Sequence, residues 1–344
     1  MRPFHWRCEP GNFGDDLNLW LWDALLPGFR QQHPEVLLVG VGTVLKRGLM
    51  PDDMKKLVVG SGVGYGPPPD LMRRRDWDVR CVRGPLTAEV LGLDPDLAVT
   101  DPAVMVSDLP EFRNLPKTTE VLFIPHWQSA VHGVWPIVAK AAQISYMSPC
   151  QDSKAVIRVI AQSKLVVAES MHGAIIADAL RVPWIAVKTH HDLHNFKWQD
   201  WAASLGLTYR PQRIPSSTRA EAGAKGERFW GFQREAGERA AEAVRESADE
   251  ELRQDSQAER RPSVPRAIAK HVLAAPAALA LRQACRAEPQ LSADSVLADR
   301  KERLRAVLAG IRRDYLSPVG ARDRLQQLAG LRPHLAQPRD FSMR

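Results

Sequence analysis

Two short segments combine residue types that move protons and hold anions. Asn12-Phe13-Gly14-Asp15-Asp16-Leu17-Asn18 sets two carboxylates beside a backbone loosened by Gly14, and Ser170-Met171-His172-Gly173 sets a histidine ahead of an Ala/Ile-rich run. Ser170 suits a helix N-cap, which puts His172 in the first turn. The free N–H groups and partial positive charge of a helix start attract phosphate or carboxylate, and His172 would then stand beside that anion with Gly173 behind it. The same residues also read as an ordinary capped helix whose histidine merely packs. Asp15 or Asp16 can act as acid or base, while at least one of them is expected simply to cap its helix. Asn12 and Gly14 complete this first loop as binding candidates.

Further candidates stand where extended runs end. Arg83, just before Gly84-Pro85, presents a guanidinium able to grip carboxylate or phosphate bidentately, or else is a surface arginine. His126, in Pro125-His126-Trp127, can transfer a proton near neutral pH, and His132 follows it. Lys188 heads Lys188-Thr189-His190-His191-Asp192-Leu193-His194. That cluster resembles a metal site at first sight, but no second spaced ligand group accompanies it, and Lys188 is the more interesting cation. The glycines of Gly40-Val41-Gly42 and Gly60-Ser61-Gly62-Val63-Gly64 complete no phosphate-binding fingerprint and read as turn glycines.

Positioning these groups requires a scaffold of alternating strands and helices. Short β-branched runs are expected as strands near Phe4–Cys8, Val36–Val39, Leu57–Val59, Val79–Val82 and Leu97–Val99, with helices beginning near Leu17 and Pro85. After the polar segment 108–119, a second series is expected at Val121–Ile124, Ile144–Met147, Leu165–Ala168 and Trp184–Val187. The fold class is therefore α/β with parallel sheets, and each candidate above falls at the carboxyl end of a strand, where open α/β sheets bind ligands. The division expected is 1–112, 113–210 and 211–344, the last being a linker near Pro211–Arg219 followed by basic helical sequence.

Composition bounds the remainder. The chain has 344 residues, 44% hydrophobic and 25% charged, ordinary for a folded globular protein and ample for two cores. No apolar run of bilayer-spanning length is evident and Met1–Arg7 lacks a signal-peptide stretch, so a cytoplasmic location is expected. Four dispersed cysteines suggest neither a zinc site nor a disulfide framework. The net charge of +7 arises wholly beyond residue 210, where 25 basic and 18 acidic residues stand. Residues 266–286 combine Ile268, Val272, Leu273, Leu279 and Leu281 with flanking cations, a pattern that either lies on an anionic membrane or packs as an ordinary helix. Nucleic-acid binding is not expected, since the positive charge is intermixed with acids and no recognition module accompanies it.

Taken together, Asn12–Asn18, Val82-Arg83-Gly84-Pro85-Leu86-Thr87, Thr100-Asp101-Pro102-Ala103, Ile124-Pro125-His126, Ser170–Gly173 and Phe196-Lys197-Trp198-Gln199-Asp200-Trp201 resemble, in order and placement, the polysaccharide pyruvyl transferase family, particularly its succinoglycan-type members. The resemblance implies two Rossmann-like domains facing a cleft, similar to the GT-B glycosyltransferase architecture, with a helical C-terminal extension. It also implies phosphoenolpyruvate as donor substrate, no other cofactor, and a sugar acceptor on which a pyruvyl ketal is closed. A lipid-linked oligosaccharide at the inner face of the membrane is the coherent acceptor, with peripheral contact to the membrane or to glycan-assembly proteins. In this reading His172, Asp16 and His126 carry the chemistry, and Asn12, Gly14, Asp15, Arg83, Ser170, Gly173 and Lys188 contact substrate. Many members carry an arginine where this chain has Ser170, so another cation, Arg83 or Lys188, must replace it or that contact is absent. A nucleotide-sugar glycosyltransferase of the same architecture and a non-catalytic assembly scaffold are the competing readings.

Overall fold

The computed structural model describes residues 1–71, 76–189, 195–225 and 264–317. Two parallel sheets organise them. The first has the order β1-β2-β3-β4, formed by Arg2–Pro3, Val36–Val39, Lys55–Val59 and Trp77–Cys81. The second has the order β6-β5-β7-β8-β9, formed by Thr119–Ile124 (β5), Ser145–Tyr146 (β6), Ser163–Ala168 (β7), Trp184–Lys188 (β8) and Gln212–Arg213 (β9). Every ladder is parallel. The chain is thus α/β, as its alternating pattern predicts.

Both faces of the second sheet are covered, so its strands read as continuous apolar runs. Leu122, Ile124, Val166 and Ala168 face one core, shared with Phe13, Leu17 and Trp22 of the first half. Phe123, Val167, Ile185 and Val187 face the other, built around Trp135 and Val138. The strand order of this sheet reverses between β5 and β7, and ligands of open α/β sheets bind at the carboxyl edge of such a switch point. His126 follows β5 and Ser170 follows β7.

The helices supporting this framework are α1 (Phe13–Asp16), α2 (Leu21–Leu25), α3 (Pro85–Val90), α4 (Trp127–His132), α5 (Trp135–Ala142), α6 (Ser153–Ala161), α7 (Met171–Ala179), α8 (Asn195–Ser204), α9 (Arg219–Ala224), α10 (Val264–Ala284) and α11 (Asp294–Ile311). The first helix begins at Phe13, slightly before the expected Leu17, and Pro85 opens α3 at its first position.

Three sequence expectations are corrected. The strand placed at Phe4–Cys8 lies at Arg2–Pro3, and Pro3, which has no N–H to donate, keeps it short. Leu97–Val99 contributes only an isolated Val82–Ala98 bridge, because Pro95–Leu97 forms a 3-10 turn whose Pro95 carbonyl accepts the Ala98 N–H. Within the expected linker, Gln212–Arg213 instead adds an edge strand to β8.

Beyond residue 263 the chain returns to both cores. In α10, Ala274, Ala277, Ala278, Leu281 and Ala284 pack at helical spacing against the Trp135 core, while Leu279 points outward at 70% exposure. Leu279 and Leu281 therefore do not share a face, and the packed-helix reading describes this part of α10. The side chains of Ile268, Val272 and Leu273 lie outside the described residues. In α11, Leu297, Leu304, Leu308 and Ile311 join the core of the first half.

Charges clamp α11 and the π-helical turn Arg312–Leu316 after it. Asp108 receives Lys301 Nζ at 2.6 Å and Arg305 Nη2 at 2.8 Å, and Asp78 receives Arg80 Nε at 2.6 Å and the Tyr315 hydroxyl at 2.5 Å. Burial tends to raise both carboxyl pKa values, but these partners outweigh it and hold both below the ordinary 3.8. A carboxyl depressed in the folded state contributes stability above its unfolded pKa and loses it as pH falls through the folded value. Hydrogen-exchange protection of residues 294–316 is therefore expected to fall before that of β5 and β7 as the pH drops below about 3.8. Simultaneous loss of protection in all these elements would contradict it.

Candidate functional site

The carboxyl ends of the two sheets share a cleft of about 400 Å³. From the first half it is lined by Asn12, Asp15, Thr43, Val44, Lys46 and Tyr65; from the second by His126, Trp127, Ser170, Met171 and His172, with Lys197 supplied by α8. Five of the ten residues singled out in the sequence thus meet on one surface: Asn12, Asp15, His126, Ser170 and His172.

Helix α7 positions its group as its sequence dictates. Ser170 is extended at the N-cap and its Oγ accepts the Gly173 N–H at 3.4 Å. His172 follows in the first turn, 7% exposed. Its Nε2 lies 3.8 Å from Asp101 Oδ2, and both atoms are buried without a hydrogen bond, while Asp101 Oδ1 accepts the Ala103 N–H at 2.9 Å. Asp101 therefore stands behind the histidine as a buried carboxylate able to hold its ring. Gly173 is buried beneath the helix start.

The first loop closes on the other side of that ring. A Cβ at Gly14 would lie 2.0 Å from His172 Nδ1, so only glycine lets α1 come this near. Gly14→Ala is accordingly expected to displace the histidine and lower turnover at least about a hundredfold, a loss typical of misplaced catalytic groups. Steady-state kinetics with a melting curve checks this; turnover within about threefold of the parent would count against it.

The paired aspartates divide. Asp15 lines the cleft, accepts Asn12 Nδ2 at 2.6 Å, and has its pKa raised by desolvation, an effect only partly offset by His172, Lys197 and Asn12. Asp16 turns away and meets His5 Nε2 at 2.8 Å. Asp15 thus keeps its proton to higher pH than an ordinary aspartate, beside the cations of the cleft.

Arg83 and Lys188 are placed elsewhere. The Arg83 side chain is fully buried: Nε donates to Asp200 Oδ2 at 3.0 Å, Nη1 to Thr43 Oγ1 at 2.6 Å and Nη2 to the Val63 carbonyl at 2.9 Å. Asp200 also accepts the N–H and hydroxyl of Thr87. The Arg83 and Asp200 segments therefore bind each other, and Arg83 reaches the cleft only through Thr43. Lys188 ends β8, where its carbonyl accepts the Ile214 N–H, and it is not part of the cleft lining.

The cation that does enter from this region is Lys197. It is 8% exposed, and its ammonium donates to the Tyr65 hydroxyl at 2.8 Å. Lys46 joins it at the rim. Neither was singled out in the sequence, although Lys197 sits beside Asp200 in a segment that was.

His126 is held by a buried charge cluster. Glu169 Oε2 accepts the His126 N–H at 2.8 Å and the Ser129 hydroxyl at 2.5 Å, while Oε1 accepts Thr189 Oγ1 at 2.5 Å and Lys225 Nζ at 2.7 Å. Lys225 also donates to Glu221 Oε1 at 3.3 Å. Burial tends to raise the Glu169 pKa, but the Lys225 ammonium outweighs it and holds the value far down. The Glu221 pKa moves up, through burial and the charge on Glu169 against the pull of Lys225. No sequence signal pointed to Lys225, which lies in α9's C-cap beyond the expected domain boundary.

Among the described residues no three His, Cys, Asp or Glu side chains are arranged to hold a metal ion, and His190–His194 lies outside those residues. No helix among them is long and apolar enough to cross a membrane.

The segments that build this cleft lie within a stretch similar to known proteins. The family model described as "Polysaccharide pyruvyl transferase" matches residues 12–191, which spans the first loop, β5, β7 and α7. The chain is also 58% identical over 316 residues to the "Succinoglycan biosynthesis protein ExoV" of Rhizobium meliloti (strain 1021), covering 92% of this chain and 100% of that protein.

Proposed function

Because the chain belongs to the polysaccharide pyruvyl transferase family, we propose that it moves pyruvate from phosphoenolpyruvate onto a sugar of an exopolysaccharide repeat unit, forming a pyruvyl ketal and releasing phosphate. The observation that carries the reading is the convergence of Asp15, with its raised pKa, on His172, His126 and Lys197 in one cleft.

The reaction needs cations for two anionic groups, an acid for the donor methylene and a base for the attacking hydroxyl. Lys197, Lys46 and the N–H groups opening α7 would hold the donor's phosphate and carboxylate, a stand-in for the arginine that Ser170 replaces. Asp15 would protonate the methylene, making the central carbon electrophilic. His172, backed by Asp101, or His126 would take the proton of the first sugar hydroxyl as it adds to that carbon; a second hydroxyl then closes the ketal as phosphate leaves, its proton passing to the Asp15 carboxylate. Asn12 and Ser170 orient the ligand, and Gly14, Arg83 and Gly173 act by shaping the walls. No cofactor beyond the donor is required.

The two sheets are read as Rossmann-like domains opposed as in GT-B glycosyltransferases, divided at 1–112 and 113–210, with 211–344 as the extension. The acceptor is read as lipid-linked, which would bring the protein to the inner face of the cytoplasmic membrane. Thermal stabilisation by candidate donors tests the donor assignment, since a ligand that binds the native state alone raises the melting temperature. Phosphoenolpyruvate is expected to stabilise the parent but not Lys197→Ala. Stabilisation by nucleotide sugars with none by phosphoenolpyruvate would overturn the reading.

A further inference from the structure

The loop 43–50 after β2 walls two cavities. One is the cleft above; the other, about 320 Å³, lies toward the amino ends of β3 and β4, and Lys46 lines both. At the second cavity stands Lys56, only 3% exposed. Among the described residues its ammonium makes no hydrogen bond or ion pair, and its partner is the Trp77 indole, 5.6 Å from the ring centroid. A π-face satisfies an ammonium only in part, which leaves its N–H donors available to a ligand in the cavity. The fold does not ask for this charge. Lys56 shares a strand face with Val58, which packs against Leu37 and Val39, and an aliphatic residue would continue that run. A buried cation beside an open space is the arrangement that receives an anion.

The surroundings extend this. Arg47, Asp52 and Asp70, all exposed, and the half-buried Asp76 line the same cavity. Cations and carboxylates lining one cavity suit a ligand that is anionic at one point and rich in hydroxyls beside it.

We propose that this cavity is a second acceptor subsite. Lys56 and Arg47 take an oxyanion of the glycan acceptor, carboxylate or phosphate, while Asp52 accepts a hydroxyl of the adjoining sugar. Lys46, common to both cavities, marks the path from the reacting sugar to its anionic neighbour. The inference rests on the glycan-acceptor reading above, but its first test does not depend on turnover.

Isothermal titration of the full chain with inorganic pyrophosphate is expected to resolve a site that Lys56→Met weakens at least tenfold and His172→Ala leaves within twofold. That result stands whether or not pyruvyl transfer occurs. Pyrophosphate affinity within twofold of the parent in folded Lys56→Met overturns the proposal. If Lys56→Met does not fold, Arg47→Ala, at an exposed position, is expected to weaken the site at least fivefold, and an unchanged affinity there overturns it equally. The KM of Lys56→Met for acceptor then identifies the source of the anion, with kcat and donor KM expected within twofold of the parent. A rise with both the lipid-diphosphate-linked oligosaccharide and the released oligosaccharide assigns it to an acidic sugar substituent. A rise with the lipid-linked form alone assigns it to the diphosphate. No rise with either contradicts the acceptor assignment.

Discussion

Replacing Lys225 with methionine is expected to destabilise the protein by about 3–5 kcal/mol, because it strands a charge that has left water. Glu169 and Glu221 are both buried and both rely on this ammonium, at 2.7 and 3.3 Å. Without it Glu169 keeps its hydroxyl and N–H donors but loses the charge that depresses its pKa. At about 2–4 °C per kcal/mol for a chain somewhat shorter than this one, a fall of roughly 10 °C in melting temperature is expected. Adding Glu169→Gln should recover part of the loss, since the double variant leaves one buried carboxylate, Glu221, without its cation instead of two. A Lys225→Met melting point within 2 °C of the parent, on the same conversion, would show that the cluster contributes little. Any truncation after Arg210 removes Lys225, the Trp135-core face of α10 and the whole of α11, so loss of membrane association in such a variant has meaning only if folding is retained.

The second large effect separates two adjacent carboxylates. Asp15→Asn is expected to lower kcat by about 10²–10⁴-fold, the usual contribution of a positioned acid or base, while Asp16→Asn stays within about tenfold. Asp16 already has a partner in His5 outside the cleft, whereas Asp15 sits in it next to His172 and Lys197. The pH dependence has a defined sign. A group acting as an acid works while protonated, so the parent should lose activity as pH rises through the raised Asp15 value, and Asp15→Asn should lack that limb. If Asp16→Asn proves the more damaging, the acid has been misassigned.

Why the sequence points to the cleft but not to its full lining follows from the range of the interactions. His126 and His172 were legible because they follow β5 and β7, whose continuous apolar runs leave little doubt where each strand ends. The first loop was legible as a loop, but not which aspartate faces inward, since that depends on Asn12, His5 and the approach of His172 through Gly14. Arg83 looked like a ligand for an anion because its position at a strand end says nothing of Asp200, 117 residues away. Lys197 was hidden in a tryptophan-rich segment whose evident task is packing, with Trp198 and Trp201 stacked near Trp184. Lys225 lay in sequence that composition marks as a polar extension. Ser170, standing where an arginine was expected, is a working N-cap, and Lys197 supplies positive charge from another element. Local chemistry was readable; pairings across the fold were not.

The proposed reaction in this cleft is transfer of pyruvate from phosphoenolpyruvate to a sugar. Purified protein incubated with phosphoenolpyruvate and glycan acceptor tests it most directly, with inorganic phosphate and acceptor mass followed together. One phosphate is expected per ketal formed, with a stoichiometric mass gain on the acceptor, and both signals should be lost in Asp15→Asn and His172→Ala. Phosphate release without an acceptor mass gain, or ketal formation at parental rates in both variants, would contradict it.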